Sequence, residues 1–386
     1  MSDVSTCGAG PVSVADFEAR ARECLPSGVY DFCAGGAGDE RTLAANEAAF
    51  ADTVLLPRAL EDTSRVDTSL SLLGAALNAP LLLAPVAFNR LLHPDGELAA
   101  ARAAAAVGVA MVASTMASCP LEDIAAAANG TLWFQLYVLR DRGLTRELIR
   151  RSEAAGYDAL VLTVDTPRIG RRERDLRNAF RFPADARPAN LQAVSGSGLD
   201  SGAGFVEFNR AVIDPVVTWD TVAWLTSVTR LPVVLKGVLS PDDAQRGVAA
   251  GAAAIIVSNH GGRQLDGALA TLDALPDVVE RVSGRCPVLL DGGVRRGVDV
   301  LAARALGATA VLIGRPYLWG LAVDGERGVT QVLNLLRQEL ELAMALSGCR
   351  CLSSIAPSLI WNRRTRTHSR DAAVRSVPRG HCGPFE

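Results

Sequence analysis

The chain has 386 residues, 49% of them hydrophobic and 21% charged, with a formal net charge of −3. That is enough apolar material for a sizeable core, in one α/β barrel with added segments or in two or three ordinary domains. The slightly acidic balance argues against nucleic acid as a main partner, and no long run free of polar or helix-breaking residues suggests a membrane-spanning helix.

The apolar stretch Leu70–Phe88 is cut by Gly74, Asn78, Pro80 and Pro85. The first ten residues, MSDVSTCGAG, lack the basic and then apolar pattern of a secretion signal, so the expected location is cytoplasmic. Eight cysteines form no CxxC pair and no His-bracketed spacing; they read as reduced thiols, and no metal site is expected. Among 39 lysines and arginines, Lys236 is the sole lysine. A lone ammonium in a chain that otherwise uses guanidinium is a candidate for chemistry that a planar fork cannot do.

In chain order, Val14–Cys24 and Asp39–Phe50 read as helices of an N-terminal cover spanning residues 1–79. From Pro80 onward, short apolar runs alternate with Ala-rich helical stretches. The predicted strands are Leu81–Val86, Ala110–Ala113, Leu132–Tyr137, Ala159–Val164, Val233–Lys236, Ala254–Ser258, Val288–Asp291 and Ala310–Ile313. Gly96–Val107, Pro120–Ala128, Arg142–Ala155, Thr218–Thr229, Pro241–Ala250, Thr271–Val282 and Val298–Leu306 read as helices between them. Eight apolar strands with intervening helices predict a closed (β/α)8 TIM barrel over residues 80–355. The long segment 168–215 after the fourth strand, which contains SGSGLDSGAG, reads as an active-site lid. Gly320–Ser347 reads as closing helices, and residues 356–386 as a flexible basic tail.

Barrel enzymes place their chemistry at the C-terminal ends of the strands. Here those ends carry Pro85 and Val86, Ser114, Gln135 and Tyr137, Thr163 and Asp165, Lys236, Ser258-Asn259-His260-Gly261-Gly262-Arg263, Asp291-Gly292-Gly293-Val294-Arg295, and Gly314-Arg315. Glycines beside Arg295 and Arg315 after strands seven and eight predict a phosphate site, because backbone N–H groups can approach the anion while guanidinium supplies charge. His260, with Arg263 three residues on, puts a base beside an anion-binding group. His93 falls in a loop, and His368 and His381 in the tail.

The segments SNHGGRQLDG, DGGVRRGVDV, IGRP, LTVDTPRIGRRERDLRN, FQLYVLRDR, LKGV and ALSGCR, in order from about Val14 to Ser354, closely resemble the FMN-dependent α-hydroxy acid oxidase and dehydrogenase family. The resemblance implies that FMN is the cofactor, with its phosphate held by Gly292, Gly293, Arg295, Gly314 and Arg315 and its ribityl chain by Asp291. Pro85, Val86, Ala87, Ser114, Gln135, Thr163 and Ser258 would contact the ring, with Lys236 at its N1–C2 edge. It further implies that His260 is the base, oriented by Asp165. Arg172 and Arg263 would bind the substrate carboxylate and Tyr137 the oxygen at the carbon being oxidised. The implied partner is a small (S)-2-hydroxy acid, in a homo-oligomer, a tetramer by resemblance; O2 is the expected electron acceptor, because the long segment lacks an apolar anchor and Ala87 stands where oxidases of the family often carry alanine.

Two departures bear on the substrate. Where the family carries a tyrosine whose hydroxyl reaches the substrate carboxylate, this chain has Phe32, which cannot donate. Val86, Phe88 and Met116 stand where glycolate-oxidising members carry Thr, Met and a pocket-narrowing Trp. Met116 opens room beside an aryl ring, so mandelate or 4-hydroxymandelate is expected over glycolate or lactate. A non-redox FMN isomerase and an inactive flavin-binding protein are the remaining alternatives.

Overall fold

The structure is a computed structural model that describes residues 10–183, 186–191 and 205–361. Ten strands are present: β1 (Leu70–Leu72), β2 (Ala75–Leu77), β3 (Leu81–Leu83), β4 (Ala110–Ser114), β5 (Leu132–Leu136), β6 (Ala159–Thr163), β7 (Val233–Val238), β8 (Ala254–Val257), β9 (Val288–Asp291) and β10 (Ala310–Ile313). Strands β3 to β10 close into a parallel barrel in the order β10-β3-β4-β5-β6-β7-β8-β9. The eight expected barrel strands are all present, each within three residues of its predicted ends.

Strand parity decides what the barrel encloses. Successive side chains on a strand point to opposite faces, and Leu82, Val112, Trp133, Val161, Val234, Ile256, Leu289 and Leu312 form one buried cluster inside the barrel. Their neighbours Leu83, Met111, Phe134, Leu160, Leu235, Ile255, Leu290 and Val311 belong to a second cluster that joins the barrel to the surrounding helices. Two residues beyond each inward side chain lie Ala84, Ser114, Gln135, Thr163, Lys236, Ser258, Asp291 and Gly314. At six of the eight strands the inside changes from apolar to polar in one step, at the end where function is expected.

The opposite end is sealed by the β1–β2 hairpin, an antiparallel pair whose Leu72 and Leu77 join the interior cluster. The hairpin is absent from the sequence reading, which assigned the N-terminal segment helices alone. That segment also holds an additional helix, Ser27–Ala34, between the two expected ones, which are observed at Val14–Cys24 and, for the expected Asp39–Phe50, at Arg41–Ala51. Helix Ser27–Ala34 carries Phe32 to the barrel mouth, and Arg41–Ala51 packs on the turn after β8.

The segment after β6 is less loop-like than expected. Its described parts include helices Glu173–Arg177 and Phe205–Val212, while SGSGLDSGAG lies outside the described residues. Helix Phe205–Val212 is docked beside the end of β5 by an isolated bridge between Leu139 and Ile213 and by Arg140 N–H donating to Val212 O at 2.9 Å. The final helix, Arg315–Leu346, is interrupted at Asp324 and Gly325, and it starts earlier than the predicted closing helices. Residues 356–361 are pinned to the N-terminal segment through a Leu55–Ile360 bridge, so the expected tail begins no earlier than residue 362, outside the described residues. No described helix is long and apolar enough to cross a membrane.

Candidate active site

A cavity of about 140 Å³ opens at the C-terminal mouth of the barrel. It is lined by Pro85, Val86, Ala87, Ser114, Met116, Tyr137, Arg172, Lys236, His260, Arg263, Asp291, Gly292, Gly293, Arg295, Gly314 and Arg315, all named from the sequence. Gln135, Thr163 and Ser258 are buried and hydrogen-bonded to the lining residues or to one another. They brace the floor: Ser114 Oγ donates to Gln135 Oε1 at 3.2 Å and Gln135 Nε2 to Thr163 Oγ1 at 3.0 Å. Asp165 likewise stands behind the cavity wall.

Lys236 is the cation of this floor. Its Nζ lies 3.0 Å from Asp291 Oδ2 and donates to Ser258 Oγ at 2.9 Å. Burial alone would lower its pKa, but the carboxylates of Asp291 and Asp165 outweigh that and hold it above the ordinary 10.5. The ammonium is therefore charged throughout the neutral range.

His260 projects from the turn after β8 with φ of +59°, a left-handed conformation that is unusual for a residue with a side chain. The turn holds it there: His260 N–H donates to Ser258 Oγ at 3.0 Å. Its Nδ1 lies 2.8 Å from Asp165 Oδ1, a pairing that assigns the Nδ1–H tautomer and leaves the Nε2 lone pair as the basic site. Burial pushes the His260 pKa below 6.5, with Asp165 opposing and Lys236 adding to the shift. Asp165 is held below 3.8: burial would raise it, but His260 and Lys236 prevail. The pair is thus neutral imidazole beside carboxylate at pH 7. Room for Asp165 comes from Gly237, where a Cβ would stand 2.6 Å from the Asp165 Cβ.

Three arginines converge on the same space. Arg263 Nη1 and Arg315 Nη2 both donate to Gly35 O, at 2.7 and 2.8 Å, and Arg315 also reaches the carbonyls of Cys33, Ala34 and Gly261. Burial, followed by repulsion from Arg263, lowers the pKa of both Arg172 and Arg315 to about 9. Half-buried cations that repel one another are stabilised by anions, and the cavity can admit them. Arg295 differs, being ion-paired to Glu47 at 2.7 Å. Gly292 and Gly293 have φ of +91° and +88°, and the carbonyl of Asn46 presses against Gly293 where a side chain would stand. The loops after β9 and β10 thus bring backbone and charge to one point, as a phosphate requires.

On the other side the cavity is aromatic and apolar. Phe32 stacks on Phe180 with centroids 4.9 Å apart and meets Phe182 edge-on at 5.4 Å, while Phe182 lies 4.4 Å from Phe88. Arg263 lies over Phe32, 5.3 Å from the ring centre. The sequence reading singled out Phe32 as a departure but not Cys33, Thr166, Ile169 or Asn209, which also line the cavity. Asn209 comes from helix Phe205–Val212, whose sequence FVEFNRAV has an amphipathic pattern that marks a helix inside an apparent loop. Burial pushes the Cys33 thiol up to about 12, so it stays protonated. Among the described residues no cluster of three or more metal-ligating side chains occurs.

A closed parallel barrel with a phosphate cradle, a buried cation and a His–Asp pair at one mouth defines a flavin-dependent oxidoreductase of the TIM-barrel class. Residues 21–362 match the family model described as FMN-dependent dehydrogenase, and the chain belongs to that family. It is 49% identical over 362 residues to an L-lactate oxidase from Nostoc sp., covering 92% of this chain and 99% of the relative. With glycolate oxidase 3 of Arabidopsis thaliana it shares 47% identity over 346 residues, covering 89% and 94%. Among solved structures, mandelate oxidase with (S)-4-hydroxymandelic acid matches with a TM-score of 0.87 and 46% identity, covering 91% of this chain and 98% of that one. The chain is an FMN-dependent 2-hydroxy acid oxidase acting on CH–OH donors.

Proposed function

We propose that this oxidase acts on an aromatic substrate, (S)-mandelate or (S)-4-hydroxymandelate, giving the arylglyoxylate, with O2 reduced to H2O2. The observation that carries the reading is the apolar side of the cavity, where Phe32, backed by Phe180 and Phe182, and the buried Met116 form a wall suited to a ring. A short-chain acid would leave that wall against water. The resemblance to solved mandelate oxidases supports the same choice; the similarity to lactate and glycolate oxidases favours the short-chain alternative.

Bound FMN supplies the two-electron acceptor. Gly292, Gly293, Gly314 and Arg315 would hold its phosphate, with Arg295 released from or shared with Glu47, and Asp291 would hold the ribityl chain. Pro85, Val86, Ala87 and Ser114 would bear on the ring, and Gln135, Thr163 and Ser258 would support them. Lys236 would provide fixed positive charge beside the bound flavin, held by Asp291 and Ser258. Arg172 and Arg263 bind the substrate carboxylate, with Arg263 held against Phe32 by its stacking contact. Burial, helped by Asp165, holds the Tyr137 hydroxyl above its ordinary pKa, so it remains a donor to the substrate oxygen. His260 takes a proton at Nε2 from the carbinol centre, and Asp165 stabilises the resulting imidazolium.

Anaerobic mixing tests the reading. (S)-mandelate or (S)-4-hydroxymandelate should bleach the yellow protein, and air should restore the colour with peroxide formed. Bleaching by glycolate or L-lactate but not by either aryl acid would overturn the aromatic assignment.

A further inference from the structure

The helix Arg41–Ala51 precedes the barrel in sequence, yet its Asn46 reaches the segment after β8 and stands beside the loop after β9. Asn46 and Asn259 form a reciprocal amide pair: Asn46 Nδ2 donates to Asn259 Oδ1 at 2.9 Å, and Asn259 Nδ2 to Asn46 Oδ1 at 2.7 Å. Both residues are buried, 1% and 5% exposed. Their orientation is fixed from outside the pair. Thr271 N–H donates to Asn46 Oδ1 at 3.2 Å. Gly262 N–H donates to Asn259 Oδ1 at 3.1 Å, and Asn259 Nδ2 also reaches Leu269 O at 3.1 Å. Neither amide can rotate without leaving buried groups unsatisfied.

The partners lie on functional segments. Asn259 immediately precedes His260, whose left-handed conformation needs continuous support. Thr271 Oγ1 donates to Gly292 O at 3.3 Å, and the Asn46 carbonyl abuts Gly293. One asparagine therefore meets both the turn that carries His260 and the loop that would hold the flavin phosphate.

We propose that Asn46 is a positioning residue that couples the turn bearing the catalytic base to the phosphate cradle, acting through its amide donation to Asn259. The proposal rests on the reading of His260 as the base. Aspartate at position 46 keeps the shape of the side chain but replaces the donor with an acceptor, set against Asn259 Oδ1. Protonation of that aspartate returns an O–H donor, and burial raises its pKa toward the working range. The defect in Asn46→Asp is thus reversible by acid, which simple loss of packing would not be.

The experiment measures FMN dissociation constants of the folded apoprotein by flavin fluorescence. It also measures flavin reduction rates of the FMN-saturated enzyme by (S)-mandelate, each at pH 8 and pH 5 and relative to wild type at the same pH. Asn46→Asp should weaken FMN binding and slow reduction by about tenfold or more at pH 8, as expected when a buried acceptor loses its donor, and both deficits should shrink at pH 5. Wild-type values at pH 8, or equal deficits at the two pH values, would overturn the proposal. Should Asn46→Asp not fold, Asn46→Ser, too short to reach Asn259, should show both deficits at either pH. A folded Asn46→Ser with normal values would also overturn it. His260→Ala separates the underlying reading: rapid reduction in that variant removes the base assignment itself, whereas slow reduction there with an unaltered Asn46→Asp defeats only the role of Asn46.

Discussion

Replacing Lys236 by methionine keeps most of the side-chain length and removes the charge. The ammonium meets Asp291 Oδ2 at 3.0 Å, in surroundings where the two residues are 4% and 6% exposed. Without it the Asp291 carboxylate is a buried anion, and its Oδ1 already has no hydrogen-bond partner among the described residues. Breaking one side of such a pair costs about 3–5 kcal/mol. Adding Asp291→Asn removes the stranded charge, so the double variant should recover all but about 1 kcal/mol, the scale of one lost hydrogen bond. Urea unfolding of the apoprotein, followed by circular dichroism, measures both differences. A single variant costing under about 1 kcal/mol, or a double variant no more stable than the single, would refute the buried-pair reasoning. The raised pKa also has a sign: this contribution is complete below pH 10.5 and is lost as pH rises through the higher folded-state value. Lys236→Arg keeps the charge but adds a planar fork where Ser258 and Asp291 leave room for an ammonium; reduced flavin affinity or slower reduction is expected.

His260→Ala should retain FMN and slow reduction by several orders of magnitude in stopped-flow mixing, whereas near-normal rates would exclude it as the base. Because burial depresses the His260 pKa, the wild-type reduction rate should rise with pH through a midpoint below 6.5 and then stay level. Asp165→Asn removes the group that opposes that depression, so the midpoint should fall further while the plateau rate drops; a midpoint moving upward would contradict the pairing. Met116→Trp should fill the apolar side of the cavity and shift the kcat/KM ratio from mandelate toward glycolate by about tenfold or more, a change on the scale of one to three kcal/mol for altered pocket volume.

Much of the site was legible because strand parity is a local property. Once Val234 faces inward, Lys236 must do so too, and the same step places Ser114, Gln135, Thr163, Ser258 and Asp291 on the inner face. The limits of the reading are equally physical. Gln135, Thr163 and Ser258 are inward but do not line the cavity, because their polar atoms are engaged by neighbours: Gln135 with Ser114 and Thr163, Ser258 with Lys236 and His260 N–H. The β1–β2 hairpin consists of two three-residue strands around Leu73 and Gly74, too short for a periodic signal. Asn46 looked like an ordinary residue on a helix, because its partner lies 213 positions away. Asn209 was concealed by a glycine-rich neighbourhood that made its helix look like loop.

The closed order of the strands has a further consequence. Around a ring of eight, β9 and β10 lie diametrically across from β5 and β6. The strands that lead to the cradle for the cofactor's phosphate and those that lead to Tyr137, Arg172 and Asn209 are therefore on opposite sides of one mouth. Insertions or substitutions after β6 can reshape what the enzyme accepts without disturbing how it keeps its flavin. The barrel divides the labour between an anchoring rim and an adaptable one, and new substrates can evolve on the second while the first stands still.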